Sequence, residues 1–159
     1  MKTKILSFTL LIILLCTATT LAAKAPIIRS DQQYLDINTG CYMLDGNVYI
    51  ETGNRIITAG HAKVSVATLE VWGSGGITVT QDDIYFTGDK VSVSGSDKRA
   101  TIEGNINFSR TNMKVTADQV SYSWQDKIAV FSGNVHVTQN DNSYTTDTLR
   151  YDLVANTIL

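Results

Sequence analysis

The stretch Ala129-Val130-Phe131-Ser132-Gly133-Asn134-Val135-His136-Val137 decides the fold. Ala129, Phe131, Gly133, Val135 and Val137 share one parity while Ser132, Asn134 and His136 take the other, the two-residue period of a strand with one buried face. The pattern runs over residues 127–139, and the glycine at its middle marks a place where a strand bends. Stepping back from Gly133 in units of 29 residues reaches Gly104, Gly75 and Gly46. Just after these glycines recur Val48, Ile77, Ile106 and Val135, then Ile50, Val79, Phe108 and Val137; further on come Thr58, Thr87, Thr116 and Thr145. Gly60, Asp89, Asp118 and Asp147 form another such series, and Asp31 lies one repeat before Gly60. Residues 24–159 are thus a single domain of about four and a half copies of one unit.

The second strand of a copy changes parity within itself. Val115 and Ala117 lie on one side of the change and Val120, Tyr122 and Trp124 on the other, so a bulge at Asp118 re-aims the strand. Polar turns fall about half a repeat apart, at Thr52-Gly53-Asn54, Gln81-Asp82-Asp83, Ser96-Asp97-Lys98, Arg110-Thr111-Asn112, Gln125-Asp126-Lys127 and Asn140-Asp141-Asn142. Turns this short predict an antiparallel meander. Counting across them sets both Gly75 and Gly104 opposite Asp89, so every bend lies beside a bend along one seam. The expected fold is all-β: an open antiparallel meander of roughly nine long strands, folded along a glycine-and-bulge seam into a twisted, jelly-roll-like sandwich of two sheets.

Composition narrows the function. With 13 Lys and Arg against 15 Asp and Glu, a net charge of −2, there is no basic excess to neutralise phosphates, and a nucleic-acid role is excluded. Residues 1–23 have the layout of a cleavable secretory signal: Lys2 and Lys4, an apolar run over 5–15, then small residues through Ala22 and Ala23. Two other readings stay open. A lipoprotein signal would modify Cys16, which Leu15 fits poorly, and an uncleaved anchor would span residues 5–23, diluted by Thr and Ser. Cleavage leaves Cys41 without an intramolecular partner, as an inert thiol or an intermolecular bridge.

Parity places Ile57, Val64, Val66, Phe86, Val91, Val93, Ile102, Ile106, Phe108, Val120, Tyr122, Trp124, Phe131, Val135 and Val137 on one inner face, with Tyr144, Leu149 and Tyr151. Such a stripe serves either as the core of a sandwich or as the lining of an open-edged interior that takes acyl chains. No catalytic, metal or cofactor site is expected. His61 and His136 fall at different repeat offsets and on different faces, and Asp82 and Asp83 sit in a turn. The series Asp31, Asp89, Asp118 and Asp147 reads as carboxylates satisfying backbone N–H groups at the bulges, or as a cation ladder. A meander that does not close leaves unpaired backbone on its first strand, near residues 27–37, and its last, near 156–159. Those edges suit strand addition by a partner or a second copy.

Pro26-Ile27-Ile28-Arg29-Ser30-Asp31-Gln32-Gln33, followed by Leu44-Asp45-Gly46-Asn47-Val48, resembles the start of the LptA/OstA-like lipopolysaccharide transport proteins. Phe131-Ser132-Gly133-Asn134-Val135 and Thr116-Ala117-Asp118 resemble the recurring units of the same family. The resemblance implies an OstA-like fold shared with the membrane-anchored LptC and the periplasmic part of LptD. It further implies a non-enzymatic periplasmic bridge that passes lipopolysaccharide through an apolar groove from the inner toward the outer membrane. Its edges would join LptC-like and LptD-like proteins, with head-to-tail self-association as a further use. Cys41 and the lack of a long polar C-terminal tail depart from the family pattern. Two alternatives are carried forward: a membrane-anchored, LptC-like adaptor, and a structural secreted β-repeat that assembles without lipid.

Overall fold

The computed structural model describes residues 26–159, and the expected signal segment, residues 1–23, lies outside the described residues. The described chain folds into thirteen strands: β1 (Ile27–Arg29), β2 (Gln32–Asp36), β3 (Cys41–Thr52), β4 (Arg55–Ser65), β5 (Glu70–Ser74), β6 (Ile77–Gln81) and β7 (Ile84–Gly88). They continue with β8 (Lys90–Ser94), β9 (Arg99–Arg110), β10 (Met113–Ser123), β11 (Ile128–Gln139), β12 (Asn142–Asp152) and β13 (Thr157–Ile158). Neighbours pair antiparallel throughout, from β1 on β3 to β13 on β12. Six long strands cross the seam whole, whereas β1–β2, β5–β6 and β7–β8 are the same unit interrupted there.

Bending at the seam divides the sheet into two layers. The first holds β2, residues 41–45, 61–65, β5, β8, residues 99–103, 119–123, 128–132, 148–152 and β13. The second holds β1, residues 48–52, 55–59, β6, β7, residues 106–110, 113–117, 135–139 and 142–146. Register shifts sit at the seam, between Thr116 and Gln119 of β10, where the parity changes, and between Ser132 and Val135 of β11, around its central Gly133.

The chemistry of the seam differs from the expected backbone role of the aspartates. Asp31, Asp89 and Asp118 each accept a hydrogen bond from the side-chain amide of an asparagine sixteen residues on: Asn47 at 2.9 Å, Asn105 at 2.8 Å and Asn134 at 2.8 Å. Each of these asparagines follows a glycine, and both residues are left-handed, as with Gly133 (φ 74°) and Asn134 (φ 46°). A Cβ at Gly46, Gly104 or Gly133 would run into the latching carboxylate, so only glycine fits beneath it. One corner breaks the rule: Gly60 stands in the aspartate position against Gly75 and Gly76, and backbone meets backbone without a latch.

Candidate functional site

Because strand register is continuous, the inner face can be read as rows running the length of the molecule. In the second layer Ile28, Ile50, Ile57, Val79, Phe86, Phe108, Val115, Val137 and Tyr144 pair in unbroken succession. In the first layer the row is Leu35, Tyr42, Val64, Val71, Val93, Ala100, Tyr122, Ala129, Tyr151 and Ile158. A second row of that layer, closer to the seam, reads Leu44, Ala62, Gly73, Val91, Ile102, Val120, Phe131 and Leu149. The rows unite Ile57, Val64, Phe86, Val91, Val93, Ile102, Phe108, Val120, Tyr122, Phe131 and Val137 on one face, with Ile106 and Val135 buried beside the seam.

Two of the expected inner residues lie beyond their strands. Val66 follows the end of β4 and is 37% exposed, and Trp124 follows β10, half-buried in its loop. Tyr144 keeps its place in the row but is 44% exposed on the outermost strand. Leu44, Val48, Ala62, Ile77, Met113, Val115, Ala117 and Ala129 are also buried. The repeat signals several of these: Leu44 is the equivalent of Ile102 and Phe131, and Val48 and Ile77 of Ile106 and Val135.

Packing along the cleft is unequal. From Phe86 to Tyr151 the layers close into one core, where Phe108 touches Phe131 at 5.5 Å and Tyr151 at 5.6 Å between ring centroids. Toward the N-terminus a separate small core contains Leu44, Val48 and Ala62, edged by the half-buried Ile28, Ile50 and Ala59. The two lips of the cleft differ as well. First-layer strands end in four-residue loops whose leading residues recur at the repeat interval: Ile37, Val66, Gly95, Trp124 and Leu153. Ile37 is 86% exposed, while Leu153 packs on the large core. Second-layer strands end in two-residue turns, and their lip carries Thr52, Arg55, Gln81, Arg110 and Gln139.

Arg110 joins the lips. Its Nη1 donates to the Leu153 carbonyl oxygen of the opposite layer at 2.6 Å, and its Nε donates to the Asp83 carboxylate at 3.1 Å. Burial disfavours the Asp83 charge, but hydrogen bonds from Arg110 and Thr111 and the guanidinium charge outweigh it and hold the carboxyl below its usual range. Burial likewise opposes the Arg110 charge, and Asp83 and Tyr151 reverse that, raising its pKa. On the same second-layer lip Arg55 Nε donates to Gln81 Oε1 at 2.8 Å. Burial raises the Tyr122 phenol, with Arg55 acting against the shift and Asp152 adding to it.

Elsewhere His61 Nδ1 lies 3.0 Å from Asp45 on the outer face, and Cys41 is a buried free thiol that donates to the Thr39 carbonyl oxygen at 3.5 Å. Among the described residues no three His, Cys, Asp or Glu side chains are grouped to hold a metal ion. No helix of the described residues is long and apolar enough to cross a membrane.

This geometry has relatives. The fold is similar to that of LptH from Pseudomonas aeruginosa, described as the LptA-homologous periplasmic component of the conserved lipopolysaccharide transport device. The TM-score is 0.59 at 13% sequence identity, covering 69% of this chain and 83% of that one. No curated protein sequence matches the chain. The profile of the family described as LptA/(LptD N-terminal domain) LPS transport protein matches residues 27–157. With almost every described residue inside that match, the chain belongs to the LptA/LptD N-terminal domain family of lipopolysaccharide transport proteins.

Proposed function

We propose that the protein is a non-enzymatic periplasmic carrier that moves lipopolysaccharide from the inner toward the outer membrane, its acyl chains held between the layers and its sugars outside. The observation that carries this reading is the pair of largely apolar rows that run unbroken from the first strands to the last along the inner face. Each methylene shielded there is favoured by about 0.8 kcal/mol, so escape of a multi-chain lipid into water is strongly opposed. Acyl contact is assigned to Ile57, Val64, Val91 and Val93, which lie on the inner face outside both core clusters. The remaining inner residues, from Phe86 through Val137, take a chain only when the closed half parts.

The edges are proposed as the joints. β2, largely exposed from Gln32 to Leu35, and residues 142–146 of β12 each pair with one neighbour only. Strand addition there would continue the apolar rows into LptC-like and LptD-like partners, or into another copy head to tail.

Site-specific photocrosslinking of the exported protein in cells tests the carrier reading. Probes at Val93 and Phe131 should give lipopolysaccharide adducts, more at Val93 than at Phe131, and the outward His136 none. A folded protein with no adduct at either inner position would return the rows to plain core and favour the structural alternative. A mature N-terminus that retains Met1 or Lys2 would favour the anchored adaptor.

A further inference from the structure

The outer face of the first layer carries a hollow of about 340 Å³ that the transport reading does not use. Its centre is Trp72, 37% exposed, with Met43 one strand beyond its neighbour Lys63. Cross-strand pairing sets Lys63 on one side of Trp72 and Ser92 on the other, with Thr101 beyond Ser92. Lys63 Nζ stands 5.3 Å from the indole centroid, so one flank of the ring is capped by a cation. On the opposite flank the short side chains of Ser92 and Thr101 leave the indole standing above a dip. Lys90 and Glu103, direct cross-strand partners, border the dip.

We propose that this hollow is a saccharide-binding site, in which a pyranose ring lies on the Trp72 indole and its hydroxyls bond to the polar rim. The floor is largely apolar, the Trp72 indole with Met43 on the far side of Lys63, as suits the C–H face of a sugar ring. Lys63, Lys90, Glu103, Ser92 and Thr101 supply donors and acceptors at the rim, which suits hydroxyl groups because they do both. A nucleotide would use the indole, but Lys90 faces Glu103 and His61 faces Asp45, so little net positive field is left for a phosphate. The volume lies at the small end of ligand pockets and holds one or two sugar rings. The side chains of the rim lie on the face opposite the proposed acyl rows, and the two sites share the strand segments at Ala62, Gly73 and Val91.

The test is nuclear magnetic resonance of the indole N–H groups of Trp72 and Trp124 in the full mature chain, titrated with water-soluble probes. These are the deacylated oligosaccharide of lipopolysaccharide, an N-acetylglucosamine oligomer and adenosine monophosphate. A saturable shift of Trp72, with Trp124 unmoved, is expected from at least one saccharide. The deacylated oligosaccharide acting alone would name the glycolipid as the source, and the N-acetylglucosamine oligomer acting alone would name a free glycan. Trp72→Ala should weaken binding about tenfold or more, and Ser92→Leu, which fills the dip while sparing the indole, should weaken it too in a protein with unchanged circular dichroism. No shift from either saccharide at millimolar concentration, or a shift from the nucleotide alone, would overturn the proposal. Because the probes carry no acyl chains, the result is independent of lipid crosslinking in the cleft.

Discussion

Around Phe131 the two layers share one large core, whereas around Leu44 the same repeat unit builds only a small one. The large core and the small one descend from equivalent positions: Leu44, Ile102 and Phe131 are one series, and Ile50, Val79, Phe108 and Val137 another. What differs is what stands opposite. Phe108 of the second layer meets Phe131 and Tyr151 of the first, and Arg110 then fastens the lip beside them. At the N-terminal end Gly73 takes the place in the Leu44 series, its missing side chain covered by Val91 and Ile77, and the seam corner at Gly60 has no latch. Equal units therefore yield a large core toward one end and a small one toward the other; in the carrier we propose, the first keeps the shape and the second admits a chain.

The comparison can be broken by substitution. Phe131→Ala should cost about 3–5 kcal/mol by urea unfolding, and Leu44→Ala about 2 kcal/mol, because the smaller side chain sits in a small core with fewer neighbours to lose. Equal losses would show that the halves do not differ in packing. Gly133→Ala should cost about 2 kcal/mol, combining a left-handed backbone with collision against Asp118, while Gly40→Ala, left-handed but facing open space, should cost about 1 kcal/mol. Identical penalties would remove the carboxylate from the account of the seam.

Smaller effects sharpen the picture. Arg110→Ala should destabilise by about 1 kcal/mol, the partial exposure of the pair limiting its worth. Amide hydrogen exchange should speed up in the loop following β12, at residues 153–156, and stay unchanged in the loop at 37–40; unaltered exchange at both would mean that the lips are held by packing alone. The smallest change is with pH. Asp83 binds its proton less readily folded than unfolded, so its contribution is complete above the unfolded carboxylate value of about 3.9 and is lost as pH falls through the lower folded value. Asp83→Asn should flatten this acid limb of the stability curve; an unchanged limb would place the linkage elsewhere.

Much of the fold was legible because a period of two and a period of 29 both survive in one dimension. Parity separated Val120 from Ala117 and so located the bulge at Asp118, and turn-to-turn counting set Asp89 opposite Gly75 and Gly104; its backbone bonds to Gly104 and to Gly76, one residue beyond Gly75. The latches were legible as well but went unread, since Asn47, Asn105 and Asn134 follow Asp31, Asp89 and Asp118 at one constant interval. Val66 and Trp124 were placed inside because parity does not say where a strand stops. Arg110 was invisible as a clasp, for its acceptor lies 43 residues away across the cleft.

By itself the sequence determined the strands, their common inner face and the line along which they fold, because side-chain alternation and turn chemistry are local and repeat. Only the tertiary structure decided which part of that face joins the large core and which the small one. The twist of the two layers chooses what each row meets on the other side. That choice depends on where chain segments cross in space, and equivalent residues in successive repeats carry no record of it.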